Sequence, residues 1–238
     1  MISLSSSFFV VEMFVYALIG GILPALLWLW FWMHEGHEHH EPKHTISLTF
    51  LSGMFCVFLV FPFQHFFSDL FNVSGGGVWQ LIIWATCEEV IKFLAAYVVA
   101  FRTSVFDEPI DAFVYLMTAA LGFAAMENTL FLLQPLLEGN TVEGIMTGSL
   151  RFMGASLLHV VSSGALSIFV ALAYYKRRLM KEIYTFLGLI TAIVLHALFN
   201  FLIMVNDTGN IFGVFSYVWA TTVILIVALE RVKAIKKF

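Results

Sequence analysis

Residues 78–101 read VWQLIIWATCEEVIKFLAAYVVAF, an apolar run of membrane-spanning length that carries Glu88, Glu89 and Lys92 at its centre. A helix rises 1.5 Å per residue, so about 20 apolar residues match the roughly 30 Å hydrocarbon layer of a bilayer. Each ionisable side chain at that depth costs about 2.5–3.5 kcal/mol on insertion scales. Three in one helix is a heavy load for a segment whose only task is to span. Further along the chain, apolar segments of the same kind carry Glu127-Asn128, His159 and His196. Charge at this depth marks a reaction centre or a permeation path.

Composition identifies the solvent. The chain is 61% hydrophobic and 12% charged, with mean hydropathy +0.92, whereas soluble domains carry about a quarter charged residues. The reading is an all-α, polytopic helical bundle in the cell membrane. Windows of about 20 apolar residues give seven spans, at about 8–33, 46–67, 78–101, 110–135, 149–175, 183–205 and 211–229. Little chain is left over, so residues 1–238 are read as one integral membrane domain. There is no basic patch suited to nucleic acid. Cys56 and Cys87 fall in different spans, where they serve as small apolar fillers and report no redox compartment. The first apolar run lacks a positive flank and exceeds the core of a secretory signal, so it is expected to be a retained helix.

Lysine and arginine predict the orientation. Lys43, Arg102, and the group Lys176, Arg177, Arg178 and Lys181 follow the first, third and fifth spans, and Arg231, Lys233, Lys236 and Lys237 lie in the tail. The connections 68–77, 136–148 and 206–210 carry no lysine or arginine. The N-terminus is therefore expected outside and the C-terminus in the cytoplasm. On that map Glu88, Glu127, His159 and His196 each lie roughly 12–15 Å below the outer surface.

Local spacing adds detail. Glu88 and Lys92 are four residues apart, which predicts an ion pair on one helix face. Glu89 then points about 100° away with no partner on its own helix. Phe123 and Glu127, His159 and Ser163, and His196 and Asn200 share the same spacing, so each helix presents a polar stripe. Blander roles exist for each group. A buried Glu–Lys pair clamps helices, a lone histidine packs, and Asn128 bonds one membrane helix to another. Asp111 is expected to favour the dipole at a helix N-terminus. Arg151 is expected to snorkel to headgroups. Both are left outside the site.

The residues Glu88-Glu89-x-x-Lys92, Phe123-x-x-x-Glu127-Asn128, Arg151 with His159 and Gly164, and His196-x-x-x-Asn200 together resemble the PrsW family of intramembrane proteases. The resemblance runs from about Glu41-Pro42 to Asn200 and includes Leu121-Gly122-Phe123-Ala124 leading into Glu127-Asn128. The family is similar to the CAAX protease and bacteriocin-processing group, whose first motif ends in Arg and whose second ends in His. Lys92 and Glu127 depart from that pattern and favour the PrsW branch. The resemblance implies proteolysis of membrane-anchored proteins, such as the first cut of an anti-sigma factor on the extracytoplasmic side.

Hydrolysing a peptide needs an activated water, a stabilised oxyanion and a proton for the leaving amine. Glu88 or Glu89 serves as base, and Glu89 is favoured because Lys92 would hold Glu88 ionised. His159, His196, Asn128 and Asn200 position water and donate to the oxyanion. In the favoured glutamic reading no metal is needed. The metal reading places Glu127, His159 and His196 around Zn²⁺, with water at the fourth place. No His-Glu-x-x-His motif is present to support it.

The tract 34–44 holds His34, His37, His39, His40 and His44 with Glu35, Glu38 and Glu41, and is read as a cytoplasmic loop, hydrated or metal-binding. Gly75-Gly76-Gly77 is read as a flexible external hinge. Two other functions fit the buried charges: a divalent-metal or proton-coupled transporter, and a non-catalytic scaffold for transmembrane helices. The chain shows no clear internal repeat, and Pro24 and Pro62 interrupt spans that hold none of the candidate site residues.

Overall fold

The site is positioned by one helix whose first half has no free surface. That helix, α4 (Asp111–Leu137), is apolar on all sides and fully buried from Asp111 to Ala125, as expected of a segment at the centre of a bundle. In the computed structural model, which describes residues 4–35, 41–73, 77–205 and 211–235, the other helices surround it. They are α1 (Leu4–Glu35), α2 (Lys43–Leu70), α3 (Val78–Ala96), α5 (Thr141–Leu150), α6 (Ser156–Leu172), α7 (Arg178–Val205) and α8 (Ile211–Lys233). The described residues contain no strand. Helices α1, α2 and α6 pack on α4, α3 packs on α2 and α7, and α6 packs on α7 and α8.

Two glycines set the closest approach. Gly53 on α2 faces the backbone of Ala119, and Gly122 on α4 faces the backbone of Phe50. A Cβ at either place would overlap a main-chain carbonyl, so this reciprocal pair fixes how α2 registers against α4. Small-residue contacts of this kind substitute for the hydrophobic drive that is missing between helices in lipid.

Among the described residues, six helices are long and apolar enough to cross a membrane: Phe8–His34, Lys43–Leu70, Asp111–Leu137, Thr141–Leu172, Arg178–Met204 and Phe212–Lys233. The seventh expected span, 78–101, is helical throughout, with α3 running on through a π-helical turn at Tyr97–Phe101. Glu88, Glu89 and Lys92 set it apart from the other six.

The fifth span begins earlier than its apolar run at 149. Asn140 accepts a hydrogen bond from the backbone N–H of Glu143 at 3.1 Å, capping a helix that starts at Thr141. A π-helical turn at Arg151–Ala155 then joins α5 to α6 without a break. In the tract 34–44, residues 36–40 lie outside the described residues, as do Gly75 and Gly76. Cys56 and Cys87 are buried free thiols.

Candidate active site

Four helices bring their ionisable side chains into one buried cluster: Glu88, Glu89 and Lys92 from α3, Glu127 from α4, His159 from α6 and His196 from α7. All are buried except Glu127, which is partly buried. The two imidazole rings meet edge to face at 5.3 Å. Phe123 packs against His159 at 5.4 Å and lies 5.0 Å beneath the Lys92 ammonium.

The adjacent carboxylates have opposite environments. Lys92 pairs with Glu89, not with Glu88: its Nζ lies 2.5 Å from Glu89 Oε1. The expected i,i+4 pair fails because the Lys92 side chain turns toward α6, where Nζ also lies 3.0 Å from His159 Nδ1. Glu89 receives three further donors. His196 Nδ1 lies 2.7 Å from Oε1, and the Ser162 and Ser163 hydroxyls reach Oε1 and Oε2 at 3.0 Å each. Three of these four donors converge on Oε1 and one reaches Oε2, so Glu89 is held as an acceptor in a dense hydrogen-bond network.

Glu88 is the less encumbered carboxylate. Gln64 of α2 donates its amide to Glu88 Oε1 at 3.2 Å. Glu88 Oε2 is buried without a hydrogen-bond partner and lies 3.6 Å from His196 Nε2. In the neutral ring, a proton on Nδ1 shared with Glu89 leaves the Nε2 lone pair facing Glu88.

The third carboxylate is held by Arg151. This arginine bonds Glu127 Oε2 through Nη2, donates from Nε to Asn128 Oδ1 at 2.6 Å, and stacks over Phe131 at 3.8 Å. Snorkelling is thus replaced by a buried fork. His159 Nε2 reaches the same Glu127 oxygen at 3.1 Å. In an unbroken helix Arg151 and His159, eight residues apart, would be about 80° out of phase. One extra residue in the π-helical turn removes about 100°, so both side chains converge on Glu127. Asn128 donates to Ser156 Oγ at 3.0 Å and meets the cluster only through Arg151. Asn200, one turn from His196, is half-buried and makes no side-chain hydrogen bond among the described residues.

Asp111 is buried far from this cluster, near the start of α4. Its Oδ2 accepts the backbone N–H groups of Asp107 and Glu108 at 2.8 and 2.7 Å, so it ties down the preceding turn.

Among the described residues, one group of donors lies close enough to hold a metal ion, and it differs from the expected set: Glu88, His159 and His196 offer ligand atoms within 4.8 Å of one another. Glu127, expected as a ligand, is occupied by Arg151. The donor types and the orphaned Glu88 oxygen suit a divalent cation, and the Glu89–His196 contact is the carboxylate support a ligating imidazole usually has. A cation would have to take His159 from Lys92 or from Glu127.

Sequence reasoning missed Gln64, Ser162 and the structural role of Arg151. Gln64 had a visible signal, an amide following the apolar run 54–63. An apolar groove of about 790 Å³ between α2 and α3 is lined in part by Phe63, Phe67, Cys87 and Ile91, which flank Gln64 and Glu88 in sequence.

A membrane helical bundle that gathers carboxylates, imidazoles and a lysine in its interior has the make-up of an intramembrane hydrolase. The family model described as "PrsW family intramembrane metalloprotease" matches residues 41–229, and the chain belongs to that family of multi-pass membrane proteases. It is similar to "Protease PrsW" of Geobacillus kaustophilus, 25% identical over 224 residues that cover 92% of this chain and 91% of the relative. It is also similar to "Protease PrsW" of Halalkalibacterium halodurans, 25% identical over 91% of this chain and 95% of that one. For "Protease PrsW" of Bacillus subtilis the identity is 25% over 77% and 80%. No solved structure gives a significant match.

Proposed function

We propose that this intramembrane protease cleaves single-pass membrane-anchored proteins with a water activated by Glu88. The observation that carries the reading is the buried, unpartnered Oε2 of Glu88 beside Nε2 of His196. A water between these atoms would give its proton to Glu88 and attack the scissile carbonyl. The protonated Glu88 would then return that proton to the leaving amine. His196 would orient the water by accepting from it at Nε2, and Asn200, one turn away on α7, would donate to the oxyanion. Glu89 and Lys92 would hold the imidazoles in place, and Arg151, Glu127 and Asn128 would hold His159.

A second reading is favoured by the donor set itself. Glu88, His159 and His196 would hold a divalent cation, Zn²⁺ by ligand type, which when bound would acidify water and polarise the carbonyl. In either reading the site lies in the outer half of the membrane, with α3 as a seventh span and the N-terminus outside.

N-terminal peptide profiling tests the reading on membranes from cells making the native chain or Glu88→Gln at matched levels. New termini near the outer ends of single-pass helices, present only with the native chain, are expected. Identical profiles from two folded proteins would remove the protease reading in those cells and leave metal flux as the activity to assay.

A further inference from the structure

Gln64 stands outside every motif quoted above, on a helix that otherwise gives the cluster nothing. The buried face of α2 runs through Thr49, Gly53, Cys56, Val57 and Val60 to Gln64. Three turns separate Gly53, which locks α2 against α4, from Gln64. Burying a primary amide in such surroundings costs free energy unless it is hydrogen-bonded. Here the amide N–H reaches a specific atom, Glu88 Oε1 at 3.2 Å. The other oxygen of the same carboxylate has no partner and faces His196 Nε2 at 3.6 Å.

We propose that Gln64 is a positioning residue whose amide holds Glu88 so that Oε2 faces His196 and the attacking water. The inference rests on the reading of Glu88 as the group that activates water. A carboxylate turns easily about its last side-chain bond, because torsions onto a planar group have broad minima. Lys92, the only cation on the same helix, is engaged by Glu89 and His159. Glu88 therefore takes its orientation from another helix. The amide supplies one donor to one oxygen, and its neutrality leaves the carboxylate charge available for the proton. A displacement of about 1 Å at a reacting atom is worth about a hundredfold in rate, which sets the size of the effect to look for.

The test uses the full chain in phosphatidylcholine–phosphatidylglycerol vesicles, with a reporter built on the single-pass protein whose new terminus depends on the native chain. Gln64→Leu removes the amide, and Gln64→Met removes the donor at nearly constant size and without charge, so a folding defect in the first leaves the second to be read. The expected result is a 10- to 100-fold fall in kcat for both, with KM within twofold and the melting temperature unchanged. A kcat within twofold of native overturns the proposal. So does a joint fall of kcat and melting temperature in both variants, the signature of a mere α2–α3 clamp. Glu88→Gln separates the two ideas. If it is inactive while the Gln64 variants match native, the Gln64 inference alone fails. If it cleaves at the native rate, or if no native-dependent terminus exists, the reading of Glu88 fails and takes this inference with it.

Discussion

His196 Nδ1 lies 2.7 Å from Glu89 Oε1, and this contact sorts two adjacent carboxylates into different jobs. Glu89 holds Lys92, His196, Ser162 and Ser163 together, whereas Glu88 keeps an oxygen free. Glu89→Ala leaves a buried ammonium without its counter-charge, a defect of about 3–5 kcal/mol. Glu88→Gln removes a carboxylate that no cation holds, so the expected loss of stability is about 1 kcal/mol or less while cleavage is abolished. Melting curves in detergent, read beside reporter cleavage, check both. A larger stability loss for Glu88→Gln than for Glu89→Ala would reverse the assignment.

Arg151 offers a test of geometry at constant charge. Its guanidinium bonds Glu127 and Asn128 at once and stacks on Phe131. Lysine keeps the charge but has neither the fork nor the planar face. Arg151→Lys is expected to lower kcat about 10- to 100-fold by letting Glu127 and His159 move, with a smaller effect on melting. Native kcat in a folded Arg151→Lys protein would show that the fork is dispensable.

The bundle was legible in the sequence because lipid imposes a simple rule: apolar runs of a fixed length form helices. The gathering of Glu88, Glu89, Glu127, His159 and His196 into one cluster was legible too, since each is costly at depth and needs a partner there. Their pairing was not. Spacing on α3 permits Lys92 to meet either glutamate, and the choice is made by Ser162, Ser163 and His159 on another helix. Arg151 was misread because the π-helical turn that brings it into phase with His159 has no signature in hydrophobic periodicity. Asn128 reaches the cluster through Arg151, and neither Asn128 nor Asn200 hydrogen-bonds Glu88.

Asp111 predicts an unusual response to exchange for its amide. Its Oδ1 is buried without a hydrogen-bond partner. Asp111→Asn keeps an oxygen for the Asp107 and Glu108 N–H groups and removes the orphaned carboxylate oxygen. It is expected to melt at or above the native temperature. Asp111→Ala strands both N–H groups and is expected to lose about 1–3 kcal/mol. Equal melting of the two variants would show that the carboxylate oxygens carry no structural weight.

Metal content separates the two mechanisms. In the carboxylate reading His159 keeps Lys92 on Nδ1 and Glu127 on Nε2, and neither nitrogen is available to a cation. The purified chain should then carry far less than one zinc per molecule by elemental analysis. Reporter cleavage should survive a chelator that is able to enter lipid. His196→Gln should cost activity without changing metal content. The metal reading makes the opposite demands: about one ion per chain in the native protein, loss of that ion in His196→Gln and Glu88→Gln alike, and cleavage that stops on chelation and returns with zinc. Both mechanisms give an inactive Glu88→Gln, so activity alone does not distinguish them. The elemental measurement does, because only one of them requires His159 to surrender a contact that the apo cluster already satisfies.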